Sequence, residues 1–328
     1  MLTLPRFEWS APRALEEALA LLSPEHGRTL LVAGGTDAVP NLKHRLHEPE
    51  RVVHLARVEE LRYVRATPEA LELGPLVTLS ELAAHPLVRR DHPSLARAAG
   101  LVAGPQLRNM GTLGGNLCLD TRCTYYNQTF FWREALGFCL KKDGAHCHVV
   151  PQGRRCVAAH SSDLGPVLIV LGAEVEIAGP RGRRTLAVDE FFVPDGIHNN
   201  VLAPDEMVIR VAIPARARGL RTGYQKLRPR GAIDFPMLSV AFAARVNGVC
   251  EEARLVVSAL AAKPKVIGGL EKLVRGRPLD DAAIEAVAGA ASQQCRPQTN
   301  VPYDQDYRHA MVPVFVKRAI RDALEGGA

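Results

Sequence analysis

Apolar residues recur at helical spacing over 11–22 (APRALEEALALL), placing Leu15, Ala18, Leu19 and Leu22 on one face. Ser10 is positioned to cap this helix, and Pro12 suits its first turn. A short apolar run at 29–33 predicts a buried strand, broken by Gly34 and Gly35. The pattern resumes as a helix over 38–46 and a strand over 51–55. This opening reads as a small α/β unit with parallel strands. Paired strands are expected over 62–75, helices at 79–84 and 94–102, a helix at 164–171, and strands at 173–178 and 207–213, with a turn at Pro180–Gly182. Between 121 and 160 no period is visible, and a loop that long is either functional or disordered.

The pattern changes character after Pro214–Gly219. Residues 236–246 and 249–260 read as a hairpin, with Asn247-Gly248 as a type I′ turn. Helices at about 267–275, 281–291 and 308–325 complete the chain. The expected division is therefore residues 1–217 and 218–328, without internal repeats.

Composition leaves this picture intact. The chain has 328 residues, 47% of them apolar and 23% charged, as an ordinary globular protein does. No run approaches the roughly 20 apolar residues of a bilayer span. MLTLPRFEWSAP lacks a basic region followed by an apolar one, so a cytoplasmic location is expected. The net charge of +6 is scattered rather than blocked, which favours a small anionic ligand over nucleic acid.

Two glycine-rich segments are the first candidates for chemistry. Leu31-Val32-Ala33-Gly34-Gly35-Thr36-Asp37-Ala38 runs from strand through tight turn to helix. Consecutive glycines let N–H groups face an anion at a helix start, where Thr36 or Asp37 can cap. It is neither a GxGxxG fingerprint nor a P-loop, and alone it reads equally as a structural corner. The second segment, AGPQLRNMGTLGGNL over 103–117, adds Thr112, Leu113, Gly114, Gly115 and Asn116. Two such segments suit a diphosphate gripped from two sides.

The runs VAGGTD, AGPQLRNMGTLGGN, HSSDLGPVLIVLGAEVEI and YQKLRPRGAIDFPMLSVA, in this order, resemble the FAD-binding subunit of molybdenum hydroxylases, the xanthine dehydrogenase and carbon monoxide dehydrogenase family. The resemblance spans essentially the whole chain. It implies an α+β fold: a two-part FAD-binding module of the PCMH type, made of a small parallel α/β unit and a larger, mainly antiparallel α+β unit, followed by a C-terminal α+β domain. It implies that Leu31 to Ala38 wrap the FAD pyrophosphate, that Thr112 to Asn116 grip its other side, and that Val102 lies against the cofactor. Asp163 matches the acidic residue that holds the adenosine part, and Val208 and Lys226 match positions beside the flavin. A lysine there can stabilise negative charge on reduced flavin. Without the resemblance, Asp163 reads as a helix cap and Lys226 as a surface residue.

Most of that family passes from the second glycine segment to the acidic residue by a short connector; here Asn116 and Asp163 lie 47 positions apart. The interval holds Cys123, Cys139, Cys147 and Cys156, spaced C-x15-C-x7-C-x8-C. Structural zinc favours short C-x2–4-C pairs, which are missing, and a cytosolic disulfide is disfavoured. An iron–sulfur cluster tolerates varied spacing, so spacing alone leaves the choice open. Tyr125, Tyr126, Phe130, Phe131, Trp132 and Phe138 offer an apolar shell, and Arg122, Arg133, Lys141, Lys142, Arg154 and Arg155 offer positive charge against a thiolate-bound cluster. His146 and His148 read as non-ligands, and Cys118, Cys250 and Cys295 as ordinary buried thiols.

The stretch RCTYYNQTFFWREALGFCLKKDGAHCHVVPQGRRC resembles the insert of the β subunit of 4-hydroxybenzoyl-CoA reductase, an unusual branch of the family. That branch implies a [4Fe–4S] cluster on Cys123, Cys139, Cys147 and Cys156, beside FAD. It also implies a molybdopterin-binding large subunit, a small [2Fe–2S] subunit, ferredoxin as electron donor and a dimer of heterotrimers. Substrate chemistry, the reductive removal of the phenolic hydroxyl from 4-hydroxybenzoyl-CoA, would occur on the partner chain, leaving electron relay to this one. The alternatives are the flavin subunit of a xanthine dehydrogenase-type hydroxylase and a non-redox binding protein on the same fold.

Overall fold

The computed structural model describes residues 2–22 and 27–326. The chain opens with β1 (Glu8–Ser10), α1 (Leu15–Ala20), β2 (Thr29–Val32), α2 (Ala38–Lys43) and β3 (Arg51–His54). The three strands form a parallel sheet in the order β1-β3-β2. Ser10 pairs with Val53 inside this sheet and therefore does not cap α1, which starts five residues later behind Ala14 without a side-chain cap. The helix face is as expected: Leu15, Ala18 and Leu22 are buried. Fully burying each such leucine is worth roughly 1.5–3 kcal/mol.

The second unit comprises β4 (Val64–Ala66), β5 (Ala70–Leu73), α3 (Leu79–Ala84), α4 (Pro86–Asp91), α5 (Pro93–Leu101), α6 (Pro105–Arg108), α7 (Leu113–Leu117), α8 (Phe130–Ala135), α9 (Leu164–Val170), β6 (Glu174–Gly179), β7 (Gly182–Ala187), α10 (Val188–Phe191) and β8 (Met207–Pro214). Its five strands form an antiparallel sheet ordered β4-β5-β8-β6-β7. Thr78 and Glu81 start α3 with a reciprocal capping box. All seven residues of α9 are buried; this helix sits at the centre of the molecule, in one core with α3, α5 and β5–β8.

The third unit has β9 (Arg221–Leu227), β10 (Leu238–Asn247), β11 (Val249–Ser258), β12 (Lys265–Val266), α11 (Leu270–Val274), α12 (Asp281–Gln294) and α13 (Gln305–Leu324). The strands form an antiparallel sheet in the order β12-β11-β10-β9. Asp280 and Asp304 cap α12 and α13 through the N–H groups of Ala283 and Tyr307. The β10–β11 hairpin is where the two runs and the Asn-Gly pair placed it, but its turn is not type I′. That turn needs positive φ at two residues; Gly248 has φ +72° and Asn247 does not, and the register shifts beyond Arg245.

Candidate functional site

The first glycine segment lies where β2 meets α2. Gly34 must be glycine: a Cβ there would sit 1.8 Å from Met110 O and 3.0 Å from Gly111 N, so the two glycine segments touch at backbone distance. Gly35 takes φ +70° and turns the chain into α2. Among the described residues no acceptor meets the N–H groups of Gly34, Gly35, Thr36 or Asp37, and all four residues are partly exposed. Asp37 occupies the cap position of α2, but its side chain does not cap. It accepts instead from Asn41 Nδ2 at 2.9 Å and from the Arg122 guanidinium.

The second segment differs from the expected second nest. Leu113 N donates to Val77 O (2.9 Å), Gly114 N to Pro75 O (2.8 Å), Gly115 N to Thr112 Oγ1 (3.1 Å) and Asn116 N to Thr112 O (2.9 Å). These donors close α7 and bind it to the segment before α3. The segment therefore acts as a wall behind the first loop more than as a second set of anion donors. Asn116 extends the wall: its Oδ1 accepts from Ser162 Oγ at 2.8 Å and Leu164 N at 3.1 Å, fixing the start of α9.

Asp163 precedes α9 without capping it. Its carboxylate accepts from Tyr224 OH at 2.5 Å and from Lys226 Nζ at 2.9 Å. The Asp163 and Lys226 side chains are 2% and 1% exposed, so Lys226 is not a surface lysine. Burial pushes the Asp163 carboxyl up from its usual range, and Lys226 opposes that shift. Lys226 Nζ and Arg228 also donate to Leu101 O, each at 3.2 Å, beside Val102 at the end of α5. The structure thus gathers Asn116, Asp163, Lys226 and Val102 around the α9 start. Val208 lies on β8 opposite Ile177, buried in the core of the five-stranded sheet. Tyr224 was not singled out in the sequence. Its signal was alternation with Lys226 on one strand, which puts both on one face.

Cys123, Cys139, Cys147 and Cys156 are buried, 7–9% exposed, and line one cavity with Tyr125, Tyr126, Lys141 and His148. All seven cysteines are free thiols. Among the described residues, no group of three or more His, Cys, Asp or Glu side chains is placed to hold a metal ion as the side chains stand. Backbone N–H groups of Val150 and Ala158 point at the sulfurs of Cys147 and Cys156, each at 3.4 Å. Burial pushes the Cys123 thiol up to about 11. A Cβ on Gly196 would lie 2.6 Å from Cys156 Sγ, so a second segment of chain closes over that sulfur.

The aromatic shell is smaller than the sequence suggests. Tyr125 and Tyr126 line the cavity, whereas Phe130, Phe131 and Trp132 on α8 are exposed, Phe131 by 79%. One helical turn cannot direct three consecutive residues to the same side. The charges divide similarly. Lys141 lines the cavity and donates to Asp120 Oδ1, Thr121 Oγ1 and Gly196 O, each at 2.6 Å. Arg133 is buried and donates to the carbonyls of His44 (3.2 Å) and Arg45 (3.1 Å), tying the insert to the end of α2. Arg154 and Arg155 stay exposed. His148 lines the cavity and bonds Phe138 O through Nε2 at 2.5 Å, while His146 is exposed. Cys250 and Cys295 are buried in the C-terminal core, and Cys118 is half-buried.

Comparison with known proteins follows this division of the chain. Residues 5–216 match the FAD binding domain in molybdopterin dehydrogenase, and 223–323 match the CO dehydrogenase flavoprotein C-terminal domain. The chain is 30% identical to the carbon monoxide dehydrogenase medium chain of Hydrogenophaga pseudoflava, covering 97% of both proteins. It is 27% identical to the nicotine 6-hydroxylase medium subunit of Paenarthrobacter nicotinovorans, covering 98% of both. A solved Hydrogenophaga pseudoflava carbon monoxide dehydrogenase chain superposes with a TM-score of 0.80 at 28% identity, over 99% of this chain and 100% of that one. Quinoline 2-oxidoreductase from Pseudomonas putida 86 shares the fold, with a TM-score of 0.80 at 22% identity over 99% of each chain. The chain belongs to the FAD-binding medium subunits of the molybdopterin-dependent hydroxylases, the family of carbon monoxide and xanthine dehydrogenases.

Proposed function

We propose that this chain is an electron-relay subunit that holds one FAD and, in the same chain, one [4Fe–4S] cluster. The observation that carries the cluster is the convergence of four buried, unpaired cysteines on one cavity. Four cysteines on one cavity match in number the four thiolates that hold a [4Fe–4S] cluster. FAD would lie along the seam of the glycine segments. The open N–H groups from Gly34 to Asp37 would take its phosphates, backed by Leu31, Val32, Ala33 and Ala38 on one side and Thr112, Leu113, Gly114, Gly115 and Asn116 on the other. Val102, Asp163, Val208 and Lys226 would complete the site. The domain division is residues 1–217 and 218–328, with the insert at about 121–160.

When bound, the two groups supply one- and two-electron transfer. The residues of this chain bind, orient and tune. Lys226 places a positive charge at the site, and Asp163 keeps it there. Lys141 places another beside the cysteines. No side chain is assigned as acid, base or nucleophile toward a substrate. Partners would be a molybdopterin-binding large subunit and a small [2Fe–2S] subunit, in a dimer of heterotrimers in the cytoplasm.

For the whole enzyme, the insert favours reductive dehydroxylation of 4-hydroxybenzoyl-CoA with reduced ferredoxin as donor. The names of the relatives, a carbon monoxide dehydrogenase and a nicotine hydroxylase, favour a second reading, in which FAD discharges electrons to NAD or oxygen. Assay of the assembled enzyme separates them. Benzoyl-CoA formation driven by reduced ferredoxin supports the first; hydroxylation linked to NAD or oxygen, without benzoyl-CoA formation, supports the second.

A further inference from the structure

One side chain joins the cysteine insert to the first glycine segment. Arg122 precedes Cys123, and its backbone closes the insert: Arg122 N donates to Ala159 O at 2.8 Å, and Ala159 N donates back to Arg122 O at 2.7 Å. Its side chain then leaves the insert and pairs with Asp37 Oδ1, in the turn whose N–H groups are open. The other Asp37 oxygen is held by Asn41 Nδ2 at 2.9 Å. The Arg122 guanidinium also lies over the Phe235 ring, its Cζ 4.2 Å from the ring centre, in the segment that follows β9. The Arg122 side chain is 12% exposed and that of Asp37 28%, so the pair is largely shielded from water.

We propose that Arg122 is a positioning residue that couples the cysteine centre to the FAD loop: fixing Cys123 fixes Arg122, and Arg122 fixes Asp37 and the turn from Gly34 to Asp37. This rests on the reading of the four cysteines as a cluster site. The physical reason is preorganisation. A metal centre on Cys123 narrows the positions open to the next residue, and a planar guanidinium held between a carboxylate and a ring passes that restriction to the loop. Coupling between two sites is reciprocal, so FAD should likewise favour the metal-loaded insert. The glycine segment alone would bind FAD without regard to the cysteines.

The test uses the full chain in its assembled enzyme. FAD affinity is measured by fluorescence of released flavin, before and after iron is removed with an oxidant and chelator. Iron is quantified first. In the unmodified enzyme, iron removal should weaken FAD binding roughly tenfold. Arg122→Met should bind FAD more weakly while keeping its iron, and should then show no further dependence on iron. Arg122→Lys keeps the charge but loses the planar guanidinium over Phe235, and should recover part of both effects. Equal FAD affinity with and without iron in the unmodified enzyme overturns the coupling while leaving the cluster reading intact. The same iron dependence in Arg122→Met as in the unmodified enzyme also overturns it. A chain without iron overturns both.

Discussion

Lys226 Nζ lies 2.9 Å from Asp163 Oδ2, and both side chains are almost wholly buried. A buried pair of this kind is costly to break, because the survivor is left charged and unpaired. Lys226→Met should therefore cost about 3–5 kcal/mol in denaturant unfolding at neutral pH. The pH dependence has a definite sign. Burial raises the Asp163 carboxyl in the folded state, so the native chain holds that proton more tightly than the unfolded chain does. The penalty grows as pH rises through the folded-state value and fades in acid. Lys226→Met should thus approach the unmodified chain as pH falls. Lys226→Met combined with Asp163→Asn should recover much of the loss.

Gly34 tests the seam between the glycine segments. Gly34→Ala places a methyl 1.8 Å from Met110 O, against backbone that has little room to give. Overpacking of this kind costs typically 1–3 kcal/mol. The variant should purify with far less than one FAD per chain and a lowered melting temperature. Full flavin occupancy in Gly34→Ala would show that the seam does not govern FAD binding.

Glu206 governs acid stability away from the site. Its carboxylate binds Arg184 and Arg181 and accepts from Ala203 N, which holds it at about 2. A depressed carboxyl stabilises above its unfolded pKa, and that contribution is lost as pH falls from about 4.5 toward 2. Glu206→Gln should lose roughly 2–3 kcal/mol at pH 7. It should also show a flatter acid limb in unfolding experiments between those pH values.

The cysteines separate by position. Cys139→Ser should lose the iron while FAD remains bound, though more weakly. Cys250→Ser, in the C-terminal core, should leave the iron unchanged. Iron analysis and the visible spectrum distinguish the two; equal iron in both variants would remove Cys139 from the ligand set.

What the sequence made legible follows from how each element is buried. The β10–β11 hairpin reads as apolar runs around a glycine turn because β10 is covered on both faces, Val240 and Phe242 in the C-terminal core and Ala241 and Ala243 in the core around α9, and α9 reads as an apolar run because every side of it is covered. Four strands were not read, among them the two-residue β12. β1 is three residues long, β7 carries Arg183 and Arg184 on an exposed edge, and β9 buries Tyr224 and Lys226 where apolar residues would be expected. The β9 case is instructive. A strand with a polar pair facing the site breaks the hydrophobic pattern because of that site. Arg133 and Arg308 hide for a related reason. Each is buried and donates to backbone carbonyls distant in sequence, so composition alone places them on the surface.

The cofactor content of the purified chain is the most direct test of FAD and cluster together. Anaerobic purification followed by iron, acid-labile sulfide and flavin analysis should give about one FAD and about four irons per chain, with a brown-yellow colour. A colourless chain with neither flavin nor iron would contradict the whole account. Flavin alone, or flavin with zinc, would contradict the cluster.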